Sequence, residues 1–195
     1  MEIPLSFEKS RPIRVIPYQE RWPQEFAVIA ADLQQTLGNC VLTIDHIGST
    51  SVPGLAAKDV IDIQLTVTDL LDPEIPKRLK LGGYTRFTAE FTDSFVGMAD
   101  DSPELQKRMA RQKEGQRRIH IHIREMGRFN QRYPLLFRDY LRASEVTRNA
   151  YALLKERLAA LFPESSEGYY FIKDPLMDLM YEAAEQWERW RRGKV

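Results

Sequence analysis

The sequence predicts an α+β fold in one domain, with sheet-forming segments before about residue 126 and helices after about residue 133. Three observations carry that expectation. Between Arg117 and Glu125, Ile119, Ile121 and Ile123 alternate with Arg118, His120, His122 and Arg124, the period of a strand with one apolar and one polar face. Phe26, Ile29, Ala30, Leu33 and Leu37 recur at three- and four-residue spacing, the stripe of a helix lying on a sheet. Helical patterns recur over 134–142, 144–162 and about 175–192. A chain of 195 residues, 43% apolar and 29% charged, suits a single packed core. One domain over 1–195 is expected, with its sheet-containing core at about 13–126 and its helical part at about 133–192.

An extended lead with Ile13, Val15 and Pro17 precedes a helix opened by Trp22-Pro23 and closed by Gly38, since proline suits a first turn and glycine a helix end. Val41 to Ile47 reads as a strand, Gly48 to Gly54 as a turn-rich loop, and about Val60 to Val67 as a second strand. Pro73 to Leu81 is a short helix closed by Gly82-Gly83, and Tyr84 to Phe95 alternates weakly enough to hold one or two strands. Ser144 is the expected N-cap of the long helix that follows, and Pro163 discourages its continuation. The last helix is expected from about Pro175 to Arg192.

Lys plus Arg equals Asp plus Glu at 28 each, so no global field favours a polyanion, and sequence-specific nucleic-acid binding is not expected. Cys40 is the single cysteine, which excludes an internal disulfide and a multi-cysteine metal centre and reads as a buried spare thiol. No apolar run approaches the about 18 residues of a membrane span, and 1–18 lacks the apolar core of a signal peptide. A cytoplasmic protein without membrane attachment is therefore expected.

The stretch from Asp45 to Lys58 is the most unusual in the chain. Small residues in a loop between strands expose backbone N–H groups and admit close approach, as phosphate-binding loops do; a plain tight turn is the alternative. The Walker spacing is absent, because Gly54 is followed by Leu55 and Lys58 by Asp59, so P-loop kinase chemistry is not expected.

The runs His46-Ile47-Gly48-Ser49-Thr50, Val52-Pro53-Gly54-Leu55-Ala56-Ala57-Lys58 and Ile61-Asp62-Ile63 resemble the signature of the GrpB family. His120-Ile121-His122, Leu136-Phe137-Arg138-Asp139-Tyr140-Leu141-Arg142, Tyr151 with Leu154-Lys155, and Tyr18 with Trp22-Pro23 and Phe26 extend the resemblance from about Ile13 to Ala184. It implies a nucleotidyltransferase-like mixed sheet with flanking helices and a helical C-terminal half. In the polymerase-beta-related enzymes of that fold, a Gly-Ser turn helps hold a triphosphate, while an acidic pair on the next strand and a third acid hold two magnesium ions. Similar domains occur fused to dephospho-coenzyme A kinases, which implies an accessory or folding role beside an enzyme of coenzyme A biosynthesis.

This sequence departs from the enzymes' pattern. With Asp62 in the second acidic position the first falls on Val60, and Asp59 points to the opposite face of a regular strand. His120 and His122, two apart on a strand, project together and are the candidates to replace the third acid. Asp62, His120 and His122 are thus the candidate catalytic residues and the candidate ligands of Mg2+, Mn2+ or another divalent ion, imidazole suiting a transition metal. His46, Gly48, Ser49, Thr50, Lys58, Arg138 and Lys155 are the candidate ligand- and phosphate-binding residues.

Blander alternatives stand beside these. A strand histidine can serve as a structural hydrogen-bonding group, and Arg138 and Lys155 as solvated helix charges. A metal-free anion pocket of Ser49, Lys58, His120 and His122 is preferred over a metal centre. Three functions follow as expectations. The first is binding of a nucleotide or phosphorylated small molecule, with divergent nucleotidyltransferase activity. The second is a non-catalytic accessory module related to dephospho-CoA kinase, and the third is a metal-dependent phosphohydrolase.

Overall fold

The computed structural model describes residues 6–193, so 1–5 and 194–195 of the expected domain lie outside the described residues. Five strands, β1 (Thr43–Ile47), β2 (Ile61–Val67), β3 (Tyr84–Thr92), β4 (Gln106–Lys113) and β5 (Ile119–Glu125), form one mixed sheet in the order β1-β2-β5-β4-β3. β2 and β5 are parallel, whereas the other neighbouring pairs are antiparallel. Helices α1 (Arg21–Leu37) and α2 (Glu74–Leu81) belong to the sheet half, and α3 (Phe129–Ala143), α4 (Glu145–Leu161) and α5 (Ser166–Arg191) form the helical half. No helix among the described residues is long and apolar enough to cross a membrane.

Strand alternation creates the two layers. Ile61, Ile63, Leu65 and Val67 of β2 and Ile119, Ile121 and Ile123 of β5 are buried against Trp22, Leu33 and Leu37 of α1 and Ile75 and Leu79 of α2. Each such side chain contributes about 1.5–3 kcal/mol when fully buried, so this face binds the N-terminal helices to the sheet. The intervening residues of the same strands are polar and face the helical half. Gln64, Thr66 and Arg124 are nonetheless buried, and Gln64 and Arg124 are hydrogen-bonded. Gln64 donates to the Gln131 carbonyl at 2.9 Å, and Arg124 donates to Gln64 Oε1 at 2.9 Å and to Asp93 Oδ2 at 2.9 Å. Satisfied in this way, Gln64 and Arg124 can be covered without leaving stranded groups.

The helical half has its own apolar cluster, and the loop after β1 is part of it. Val52 and Leu55 are fully buried there against Leu136, Phe137, Leu141 and Tyr181. Ser144 caps α4 as expected, its hydroxyl accepting from the Thr147 N–H at 3.4 Å. The N-terminal lead is extended, bridging to the loop at Ile16 and Ala57 and to the α4–α5 connection through Ile13.

Several elements differ from the sequence reading. β4 was not anticipated: among Gln106-Lys107-Arg108-Met109-Ala110-Arg111-Gln112-Lys113 only Met109 and Ala110 are apolar, and the strand exists because its backbone pairs on both sides, with β3 and β5. Helix α3 starts at Phe129, before Pro134, and α5 starts at Ser166, well before Pro175. Interior prolines each remove one backbone hydrogen bond, and here packing of the flanking Tyr133, Phe137 and Met177 against the helical cluster outweighs that loss. β1 begins at Thr43, not Val41, and Cys40 is half-buried at the margin of the core.

Asp59 faces away from Asp62 and ties α1 to the sheet. Its Oδ1 accepts from Trp22 Nε1 at 2.7 Å and from Arg117 Nη2 at 2.6 Å, while Oδ2 accepts from Arg21 Nη2 at 2.8 Å. Because Trp22 is wholly buried, Asp59→Ala strands an indole N–H in the core. Loss of about 2 kcal/mol of stability is expected, readable as a lower urea midpoint with unchanged slope; an unshifted midpoint would show that the clamp is dispensable.

Candidate functional site

The site begins where β1 ends. Gly48 adopts φ +69° and turns the chain into a short 3-10 segment, Ser49–Ser51, whose Ser51 hydroxyl donates back to the Gly48 carbonyl at 2.5 Å. Ile47 stands opposite Asp62 in the β1–β2 register, so this turn passes directly over the Asp62 carboxylate. A Cβ on Gly48 would lie 2.5 Å from Asp62 Oδ2 and 3.0 Å from Asp62 Cβ. Glycine is therefore required twice over, for its backbone angle and for the space it leaves the carboxylate.

Asp62 lies opposite His120 and Gln64 opposite His122 in the β2–β5 pairing, which gathers three donors on one face. Asp62 Oδ1 is 3.1 Å from His120 Nδ1 and 3.7 Å from His122 Nε2. Burial opposes ionisation of Asp62, but the facing His120 and His122 imidazoles outweigh it and hold the carboxyl well below its usual range. Burial pushes His122 down to about 4 against the pull of the nearby Asp62 carboxylate, so its ring is neutral at pH 7. His122 Nδ1 is buried without a hydrogen-bond partner.

Above this polar floor lies a cleft of about 350 Å³ walled by α3, α4 and α5. Three ammonium groups line it. Lys58 donates to the Tyr170 hydroxyl at 2.5 Å and lies 4.4 Å from the centre of that ring. Lys155, only 3% exposed, donates to the Ala56 carbonyl and sits 4.6 Å from the Tyr151 ring centre. Lys173 stands over Tyr170 at 5.2 Å and pairs with Asp174 at 2.9 Å. Burial, followed by the charges of Lys173 and Lys58, lowers the Lys155 ammonium to about 7.

Of the residues singled out in the sequence, Asp62, His120, His122, Gly48, Ser49, Thr50, Lys58, Arg138 and Lys155 all line this one cleft. Some are already engaged. Thr50 is buried with its hydroxyl 3.0 Å from His46 Nε2, and Arg138 donates to the His46 carbonyl at 3.0 Å. Lys155 is buried, not the solvated helix charge of the blander expectation. His46 requires correction as a ligand-facing residue: it lies on the α1 face, stacked on Phe26 with ring centres 4.7 Å apart, and is absent from the cleft wall. Ile47, the next residue, stands on the site face, and that single step reverses the side-chain direction.

Lys173, Tyr169 and Tyr170 are cleft residues that the sequence reading missed. Their spacing, with Lys173 four and three residues after the tyrosines, is the signal that places them on one helical face. With the last helix expected from about Pro175, these residues lie ahead of its expected start, whereas α5 begins at Ser166.

The fold and site thus define a class: an α+β protein with a covered polar sheet face and a ligand-sized, lysine-lined cleft. A family model described as GrpB protein matches residues 12–183, and the chain belongs to the GrpB family. It is similar to the UPF0157 protein YqkA of Bacillus subtilis, at 33% identity over 185 residues that cover 94% of this chain and 50% of that protein. It is 35% identical over 190 residues to a dephospho-CoA kinase of Mycobacterium tuberculosis, covering 90% of this chain and 47% of that protein. The chain therefore spans about half the length of these two relatives. The crystal structure of the conserved protein GrpB from Enterococcus faecalis superposes with a TM-score of 0.71 at 30% identity, covering 89% of this chain and 99% of that one.

Titration of His46 follows from its burial. Burial lowers it from 6.5 to about 4, with Arg142 and Arg138 acting in the same direction and Asp62 against. Between those values the unfolded chain binds a proton that the folded chain refuses, so stability falls as pH drops through the window. A loss of about 3 kcal/mol from this group is expected between pH 7 and pH 4. Urea midpoints at the two pH values should converge in His46→Gln relative to the native protein; an equal acid-induced fall in both would place the pH dependence elsewhere.

Proposed function

We propose that the cleft binds a phosphorylated small molecule, a nucleotide in the first instance, with Lys58, Lys155 and Lys173 around its phosphate and Asp62, His120 and His122 beneath it. The observation that carries this reading is that Lys58 and Lys155 both line the cleft, and no carboxylate pairs with either among the described residues. Like charges gathered around a cavity repel one another until an anion enters. Ser49, beside the Tyr151 hydroxyl, adds a further polar group to the same wall.

The glycine-serine turn followed by Asp62 on the next strand supports a nucleotidyltransferase-like arrangement, and transfer of a nucleoside monophosphate from a nucleoside triphosphate to a small acceptor, with pyrophosphate leaving, is the favoured reaction. Two-magnesium chemistry does not fit these residues, because Asp59 belongs to the α1 clamp and leaves Asp62 without its acidic partner. One divalent transition ion does fit: Asp62, His120 and His122 each offer a donor, all within 4.8 Å of one another. Bound there, such an ion would polarise a phosphoryl oxygen. With water as the acceptor, the same groups would constitute a phosphohydrolase.

Calorimetric titration with a nucleoside triphosphate, with and without Mn2+, tests the reading. Binding is expected, weakened about tenfold or more in Lys155→Met. Neither heat nor thermal stabilisation under both conditions would remove it.

The match to part of a dephospho-CoA kinase favours a second reading, an accessory module that docks on an enzyme of coenzyme A biosynthesis. Co-purification with such an enzyme and a rise in its melting temperature are the expected results. A chain that elutes alone and leaves the kinase's melting temperature unchanged would count against this role.

A further inference from the structure

We infer that Arg111 and Arg118, with Arg86 beside them, form a second anion subsite on the sheet face next to His120, which receives a further phosphate of a polyphosphorylated ligand. This rests on the phosphate reading of the cleft and extends it beyond the lysine-lined wall.

Register places the residues. Asp62 pairs with His120 across β2 and β5, and His120 pairs with Arg111 across β5 and β4, so carboxylate, imidazole and guanidinium stand in one row on one face. Arg118 lies just ahead of β5, two residues before His120, and its charge acts on the Arg111 guanidinium. Arg86 follows Thr85, which pairs with Arg111, and lies in a break of the β3–β4 register with φ 51°. A positive φ is uncommon in a residue other than glycine, and bulges of this kind re-aim a side chain. Arg86 and Arg118 are exposed while Arg111 is half-buried, which leaves the row open to solvent.

Charge supplies the argument for a ligand. None of the three arginines forms an ion pair among the described residues, although their neighbours do: Arg117 pairs with Asp59 and Glu25, and Arg124 with Asp93. Burial, then the positive charge of Arg118, holds the Arg111 guanidinium below its ordinary value, Arg86 adding to the effect while Asp62 and Tyr170 oppose it. The arginines therefore feel one another and the carboxylate at the cleft floor. Arg111 Nη1 is also buried with no hydrogen-bond partner. Guanidinium groups present planar, paired donors that match phosphate oxygens. A ligand with several phosphates can reach both the lysines and the arginines across His120, whereas a single phosphate can occupy only one set.

Inorganic orthophosphate and inorganic triphosphate distinguish the two sets by calorimetry on the whole chain. The native protein is expected to bind triphosphate more tightly, and Arg118→Ala and Arg111→Met each to weaken triphosphate about tenfold while leaving orthophosphate unchanged. Arg118 is exposed, so its variant folds whatever becomes of the Arg111 variant, and melting curves verify both. Triphosphate affinity unchanged in Arg118→Ala and in a folded Arg111→Met, or orthophosphate weakened equally with it, overturns the second subsite alone. Failure of the native protein to bind either anion overturns the phosphate reading of the cleft and this inference with it.

Discussion

Where β2 lies parallel to β5, Asp62 stands opposite His120 and Gln64 opposite His122, and a single alternation serves both strands at once. Every odd-numbered residue of that pair from Ile61 to Val67 and from Ile119 to Ile123 is apolar and buried under α1 and α2. The register is consequently held by the hydrophobic face, since a slip of one residue would drive Asp62 and His120 into the apolar core. The polar face inherits its geometry from a constraint it does not itself supply. That division of labour lets two imidazoles and a carboxylate crowd together although the cluster is costly to bury.

The helical half is fastened to the sheet by the loop that also carries the site. Val52 and Leu55 are buried among α3 and α5 side chains, while Arg138, Arg142 and Lys155 donate to the carbonyls of His46, Ser51 and Ala56. The loop is thereby held rigidly over Asp62, at a separation that only a glycine at position 48 permits. A residue such as Arg138 can line the cleft and still spend its hydrogen bonds on scaffolding. Lys155 likewise donates to a loop carbonyl, but neither it nor Lys58, which meets the Tyr169 and Tyr170 rings, has a carboxylate partner among the described residues.

Much of the fold was legible because it rests on local periodicity. The β5 alternation, the α1 stripe from Phe26 to Leu37 and the Ser144 cap are each contained within one segment, and each is present in the structure. β4 was not legible, since its charged sequence carries no alternation and the strand exists only through its pairing with β3 and β5. The starts of α3 and α5 were hidden by Pro134 and Pro175, where tertiary packing overrides a strong local signal. That misplacement also concealed Lys173 with Tyr169 and Tyr170.

By itself, then, the chain's order of residues determined that His120 and His122 share a strand face, and that Asp59 and Asp62 do not. Those facts depend on the two-residue repeat of a strand and need no partner. Tertiary structure alone decided that His46 turns toward Phe26, that Lys58, Lys155 and Lys173 meet in one cleft, and that Arg111 joins the row of Asp62 and His120. These relations span elements far apart in the chain, and strand register and helix packing, which no local pattern encodes, set the distances between them.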